Sequence, residues 1–258
     1  MAIWGRRIHP HPIFEGLSYF VAFRVFLYLR QRFGDPLSTS LRWAVIAAAL
    51  AGAAIGSKLL YWIEDPQLTW HNLHNPAYLI AGKTIVGALV FGLVSVELMK
   101  KHIGIRHSTG DLYAIPLALG IAIGRVGCFL TGLPDNTYGT STALPWGVDF
   151  GDGINRHPTQ LYEIVFLLVL IPILYRIRRS VSSLGPATSF QSGDAFKFFM
   201  VAYMSFRLLC DFIKPYPHLV LGLGSIQWAC ILVLFYYAPD VGRWPSSTRM
   251  AGSRVNRH

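Results

Sequence analysis

Apolar residues gather into seven long runs along the chain, at 14–29, 43–63, 77–98, 112–132, 159–175, 195–213 and 219–238. Polar or charged connections separate them. A helix rises about 1.5 Å per residue, so about 20 apolar residues cross a hydrocarbon layer of about 30 Å. Several runs are only just that long. The pattern predicts an all-α, polytopic membrane protein with seven transmembrane helices. No internal repeat is visible.

Composition agrees with that reading. Of 258 residues, 53% are hydrophobic and 14% charged, with a mean hydropathy of +0.41; a soluble chain carries about 25% charged residues. The three cysteines, Cys128, Cys210 and Cys230, all lie in apolar runs and far apart. That spacing is neither a disulfide framework nor a metal-ligand set.

A net charge of +10 raises the question of nucleic acid, which the placement of the charges answers. The connections after runs 1, 3 and 5 and the C-terminal tail hold Arg30, Arg32, Arg42, Lys100, Lys101, Arg106, Arg176, Arg178, Arg179, Arg243, Arg249, Arg254 and Arg257, thirteen in all. The other side holds four, Arg6, Arg7, Arg156 and Lys214. The positive-inside rule then puts the C-terminus in the cytoplasm and the N-terminus outside. The charge is a topology signal, and nucleic acid is not expected as a partner. The start carries no A-x-A-like cleavage site, so no cleavable signal peptide is expected. Residues 1–238 form one helical membrane domain, and 239–258 read as a basic, disordered cytoplasmic tail. The stretch 180–193 reads as a flexible Ser/Gly-rich loop.

Six basic residues remain inside runs: Arg24, Lys58, Lys83, Arg125, Lys197 and Arg207. Lys197 sits where it can snorkel, and Arg24 is given no role. Lys58, Lys83, Arg125 and Arg207 fall at one depth, in the outer half of four different helices. An intramembrane cation costs at least about 2.5–3.5 kcal/mol, and four at one level repel unless an anion sits among them. Glu64, Glu163 and Asp211 lie at a similar depth. Two readings follow: structural ion pairs, or a site that grips an anionic headgroup, for which arginine's planar fork suits phosphate. In "AYMSFRLLCDFIKP" (202–215), Tyr203, Arg207 and Asp211 share a helix face. "RHPTQLYE" (156–163) opens run 5 with His157, Pro158 and Glu163. "GKTIVGALVFG" (82–92) spaces glycines for close helix packing or for backbone approach by a ligand.

"GRVGCFLTG" (124–132) with Tyr138-Gly139 after it, "HPTQLYE", "Y-x-x-F-R" (203–207) and "GSIQW" (224–228) occur in the order and spacing of the phosphatidylglycerol–prolipoprotein diacylglyceryl transferases of the bacterial inner membrane. The chain resembles that family from Gly16 to run 7. The resemblance implies a multi-pass, monomeric, cofactor-free enzyme. It would transfer the diacylglyceryl group of phosphatidylglycerol to the lipobox cysteine thiol of a prolipoprotein, with glycerol 1-phosphate as leaving group. It implies catalytic roles for Arg125 and Arg207 on the lipid phosphate, with Lys58, Lys83, Gly132, Tyr138, Gly139, Glu163 and Tyr203 at the substrate. The chain departs from the family pattern at several points. Val86 stands where the family has its catalytic histidine, Cys128 and Thr131 where it has asparagines, Leu133 for a glutamate and Lys58 for an arginine. Lys83, Asp135 and His157 are the candidates to supply the missing base, with His157 first. The alternatives are a related transferase with another acceptor and a non-catalytic anionic-lipid-binding or transport protein. Whether Cys128 reacts or packs stays open.

Overall fold

A computed structural model describes residues 2–3, 6–7, 10–183, 190–217 and 220–244. Helices dominate it: α1 (Pro10–Phe33), α2 (Thr39–Glu64), α3 (Pro66–His71), α4 (Pro76–Ala81), α5 (Ile85–His102), α6 (Asp111–Thr131), α7 (Thr159–Ser183), α8 (Asp194–Cys210) and α9 (Ser225–Arg243). Two antiparallel hairpins are minimal, β1 (Ala2–Ile3) with β2 (Arg6–Arg7) and β3 (Val148–Asp149) with β4 (Asn155–Arg156). Four helices, α1, α2, α6 and α7, are long and apolar enough to cross a membrane. Large apolar side chains such as Phe20, Leu50, Ile55, Leu98, Val165, Val169, Leu232 and Phe235 face outward, whereas Arg42, Arg125, Glu163, Asp194, Arg207 and Asp211 are buried. This inside-out distribution is that of a bundle solvated by lipid.

Each of the seven apolar runs corresponds to a long helix, with three corrections. The run at 77–98 is broken. Pro76–Ala81 forms one turn and a half, Gly82–Thr84 is extended, and α5 starts at Ile85. A Cβ at Gly82 would fall 2.0 Å from the Tyr61 ring, so the ring lies where a helical side chain would go. Thr84 then restarts the helix as N-cap, its hydroxyl accepting from Gly87 N at 3.3 Å. Run 6 ends as a 3-10 turn, Asp211–Ile213. Run 7 is displaced. A turn with positive φ at Leu221 and Gly222 precedes α9, which continues to Arg243, past the boundary expected at 238. Residues 245–258 of the tail and 184–189 of the 180–193 loop lie outside the described residues.

Packing runs through glycine. A Cβ at Gly56 would meet Phe91 Cβ at 2.2 Å, and one at Gly87 would meet Gly56 O at 2.3 Å. Helices α2 and α5 therefore touch backbone to backbone, and of the two uses open for the 82–92 glycines, Gly87 serves packing.

The polar groups collect at the two ends of the bundle. At one end, Asp35 in the α1–α2 connection binds Arg30 Nε at 2.9 Å and Arg42 Nε at 2.9 Å. Arg42 also donates to Thr109 O and Tyr113 Oη, each at 3.2 Å. Nearby, Asp111 of α6 accepts from Gly193 N at 2.7 Å, Ala195 N at 3.1 Å and Phe196 N at 3.3 Å, occupying the free amides at the start of α8. Asp240 pairs with Lys197 and Arg243, each at 2.7 Å, so Lys197 is ion-paired. Burial pushes the Asp35 carboxyl up, but its bonds to Arg42 and Leu37 N and the Arg30 charge outweigh burial and hold it below the usual carboxylate range. A depressed folded value stabilises above the unfolded pKa and is lost as pH falls through the folded one. Asp35→Asn is expected to destabilise by about 3–5 kcal/mol at neutral pH, since it strands a buried guanidinium. Thermal unfolding in detergent should show the gap between variant and parent closing as the pH falls into the acid range.

Candidate active site

The opposite end of the bundle brings together the C-terminal turns of α6 and α8, the N-terminal turns of α7 and α1, and the loop 132–158. Glu163, one turn into α7, is its centre and is 1% exposed. Its Oε2 lies 2.8 Å from Arg125 Nε and 3.9 Å from Arg207 Nη1. Its Oε1 accepts from Tyr203 Oη at 2.6 Å. Arg207 Nη2 also donates to Asp211 Oδ1 at 3.0 Å. The helical spacing that puts Tyr203, Arg207 and Asp211 on one face thus aims all three inward. Lys214 is buried close by.

This cluster is not saturated. The Arg125 contact is an ion pair without hydrogen-bond alignment. Nε of Arg125, Nε of Arg207 and Oε1 of Gln160 are buried without a hydrogen-bond partner among the described residues. Arg125, Arg207 and Lys214 are faced by Glu163 and Asp211, with Glu64 beside Asp211 as a third acid in electrostatic contact with Arg207 and Lys214. A buried arginine pair with a guanidinium donor left open at Arg207 suits an anion with several oxygens.

The four cations do not converge as one group. Lys58 Nζ donates to Ile80 O and, at 2.6 Å, to Gly82 O, at the α4–α5 break. Lys83 pairs with Glu15 Oε1 at 2.5 Å and its side chain is half exposed. Arg125 and Arg207 form the buried pair, and Lys58 and Lys83 stand outside it. The loop supplies the rest of the wall. Gly132 ends α6 with φ +71° and ψ −134°, which glycine adopts without strain. The Tyr138 ring lies 4.9 Å from the Arg156 guanidinium and 5.7 Å from the Phe150 ring. Gly139 N donates to His157 O at 2.8 Å, and a Cβ there would meet Ile213 O at 2.8 Å. The hairpin beyond is closed by Asp149 Oδ1 accepting from Gly151 N at 2.8 Å and Gly153 N at 3.0 Å. These bonds hold the carboxyl below its usual range.

His157, expected first as the base, faces Tyr162 Oη at 3.2 Å, and that hydroxyl accepts from Trp146 Nε1 at 2.9 Å. No contact places it on the arginine pair among the described residues. Val86 is fully buried in the apolar core. The imidazole nearest the pair is one the sequence reading passed over. His11, in the first turn of α1, sets Nδ1 2.7 Å from Asp135 Oδ1 and 3.8 Å from Cys128 Sγ. Arg125 Nη1 lies 3.8 Å from the same sulfur. The available signal was local, His11 and Glu15 four apart at a helix start.

His11, Cys128 and Asp135 present ligand atoms within 4.8 Å of one another. A separation of 2.7 Å between Nδ1 and Oδ1 is nevertheless a hydrogen bond. Two ligands at about 2.0 Å on one tetrahedral ion stand about 3.3 Å apart. The geometry holds a proton between His11 and Asp135.

The chain matches the family model for prolipoprotein diacylglyceryl transferase over residues 5–238. It is similar to a protein of Campylobacter lari, 29% identical over 234 aligned positions that cover 82% of this chain and 79% of that protein. It is also similar to one of Bordetella bronchiseptica, 29% identical over 246 positions, covering 87% and 88%. Both relatives are named phosphatidylglycerol–prolipoprotein diacylglyceryl transferase.

Glu163→Gln strands the buried Arg125 guanidinium and leaves Arg207 on Asp211 alone, whereas Tyr203→Phe removes one hydrogen bond to a charged group. Losses of about 3–5 and about 1.5–3 kcal/mol are expected respectively. Denaturant unfolding in detergent checks the order. An equal or smaller loss for Glu163→Gln would show that the carboxylate does not hold both arginines.

Proposed function

Because the chain belongs to the prolipoprotein diacylglyceryl transferase family, we propose that it moves the diacylglyceryl group of phosphatidylglycerol to the lipobox cysteine thiol of a prolipoprotein, releasing glycerol 1-phosphate. It is a transferase of lipoprotein biosynthesis. The observation that carries the reading is the buried Arg125–Glu163–Arg207 cluster, in which Arg207 Nε has no hydrogen-bond partner among the described residues. A lipid phosphate seated there meets donors already in place, and the charge that grows on the departing phosphate is stabilised without reorganisation of solvent. Glu163, Asp211 and Tyr203 keep the guanidinium planes fixed in the absence of substrate. Lys83 and Lys58, at the rim, attract the anionic headgroup, and Gly132, Tyr138 and Gly139 shape the loop above it.

The protein spans the bacterial inner membrane seven times, as a monomer, with its N-terminus outside and C-terminus in the cytoplasm. The alternation of thirteen basic residues on one side with four on the other supports the orientation and the span count. The site then opens to the outer leaflet, where a translocated lipobox arrives.

Purified protein mixed with phosphatidylglycerol and a lipobox peptide should give a peptide heavier by one diacylglyceryl group in mass spectrometry. Arg125→Lys and Arg207→Lys keep the charge and lose the planar fork. Each is expected to lower the rate by at least about 100-fold, the scale of one preorganised donor at a developing anion. Wild-type rates in both variants would remove the arginines from the mechanism.

A further inference from the structure

We propose that His11, oriented by Asp135, is the base that takes the proton of the acceptor thiol in this chain. The proposal rests on the transferase reading above. A thiol attacks carbon only as the thiolate, so a group with a free lone pair has to stand beside the phosphate site. Most candidates there are occupied. Glu163 and Asp211 are bound by the guanidinium groups, and Glu15 by Lys83 and by Tyr19 Oη at 2.9 Å. The His157 imidazole faces Tyr162.

Two groups keep a free lone pair: Glu64 Oε1 has no hydrogen-bond partner among the described residues but is buried on the Asp211 side of the arginines, whereas His11 is open to an incoming thiol. Its Nδ1 is engaged by Asp135 at 2.7 Å, which places that proton on Nδ1 and the lone pair on Nε2. Nε2 lies 3.8 Å from Glu15 Oε2, beyond hydrogen-bond length. The ring is 37% exposed, and Asp135 is 9% exposed, so an incoming thiol can reach the base but water has little access to the carboxylate behind it.

The dyad is built into the same frame as the arginines. Asp135 Oδ2 accepts from Thr137 Oγ1 at 2.6 Å, and Thr137 Oγ1 accepts from Gln160 Nε2 at 3.1 Å. Thr159 Oγ1 donates to Thr137 O at 2.6 Å. Gln160 stands one turn before Glu163 on α7, so one helix fixes both the carboxylate behind the base and the carboxylate between the arginines. A Cβ at Gly127 would fall 2.7 Å from Phe14 Cβ and 3.3 Å from His11 Cα. Gly127 therefore lets the first turn of α1 close onto α6. A single sulfur atom, Cys128 Sγ, lies between the imidazole and the Arg125 guanidinium, 3.8 Å from each.

In the step, the acceptor S–H bond breaks and its proton goes to His11 Nε2. The sulfur lone pair forms the S–C bond at the glyceryl carbon that carries the phosphate. The C–O bond breaks, and its electron pair leaves with glycerol phosphate, which takes the proton back from the imidazolium. Cys128 is not the nucleophile that this base serves. Its sulfur and Asp135 both approach Nδ1, so it does not face the Nε2 lone pair.

The test uses the full chain in detergent with phosphatidylglycerol and paired lipobox peptides carrying cysteine or selenocysteine at the acceptor position. A selenol is already ionised at neutral pH and needs no base. His11→Gln is expected to lower kcat at least about 100-fold on the cysteine peptide, the usual worth of general base catalysis, with KM for phosphatidylglycerol unchanged. On the selenocysteine peptide most of that loss should vanish. Asp135→Asn should lower kcat in the same peptide-dependent way, and Asp135→Glu should restore it. Added imidazole should restore turnover to His11→Ala, which covers the case of a misfolded Gln variant. The proposal is overturned by wild-type kcat in His11→Gln, by an equal defect with both peptides, or by a diacylglyceryl adduct on Cys128 with no turnover in Cys128→Ser. Activity removed by a chelator and restored by zinc also overturns it, in favour of a metal at His11, Cys128 and Asp135. If the wild-type chain transfers nothing to either peptide, the transferase reading falls and this proposal with it; if it is active and the His11 variants match it, only this proposal falls.

Discussion

Glu163 sits between two guanidinium groups in a bundle whose outer surface is apolar, and that end of the molecule is arranged around the contact. Arginine cannot shed its proton, so a buried pair of arginines has to be neutralised where it stands. One carboxylate, held from the far side by the Tyr203 hydroxyl, serves both. The contact joins α6, α7 and α8, and it fixes the direction in which each guanidinium faces. Hydrogen bonding is incomplete, because Arg207 Nε stays buried without an acceptor among the described residues. A fully satisfied cluster would be structural only. An under-satisfied one favours an anionic ligand by the interactions it leaves open.

Close backbone contacts make that arrangement rigid. Gly87 against Gly56 joins α5 to α2, and Gly127 against His11 and Phe14 joins α6 to α1. At the other end, Asp35 with Arg42 and Asp111 with the amides of α8 lock the helix ends. Both ends therefore use buried acids on basic or amide partners, and the apolar middle carries no such requirement. The difference lies in saturation. At the Asp35 end, Arg42 spends its donors on Asp35, Thr109 and Tyr113.

The His11–Asp135 pair extends the arginine cluster toward the surface. It depends on the 3-10 turn Leu133–Asp135 that follows Gly132, and on Thr137 bridging to Gln160. Val86 is buried in the apolar core, and the polar groups at the start of α5 are engaged, Thr84 with Gly87 N and Lys83 with Glu15. The chemistry at the rim then has to come from α1 and from the loop after α6.

The sequence by itself determined the membrane class and the long helices, and it singled out Arg125, Arg207, Glu163, Tyr203 and Asp211, which the structure buries together. These are consequences of local rules. Long apolar runs need a lipid solvent, an ionisable residue inside one needs a reason, and a spacing of four puts three side chains on one helix face. What the tertiary structure decided is how the charges pair. All four intramembrane cations share a depth, yet only two meet, because depth says nothing of rotation about the helix axis. Lys83 turns to Glu15 and Lys58 to the carbonyls of a helix break that hydropathy alone could not register. His11 was illegible for the same reason. It is separated from Cys128 by 117 positions in the chain, and only the closure of α1 over Gly127 brings its imidazole to Asp135.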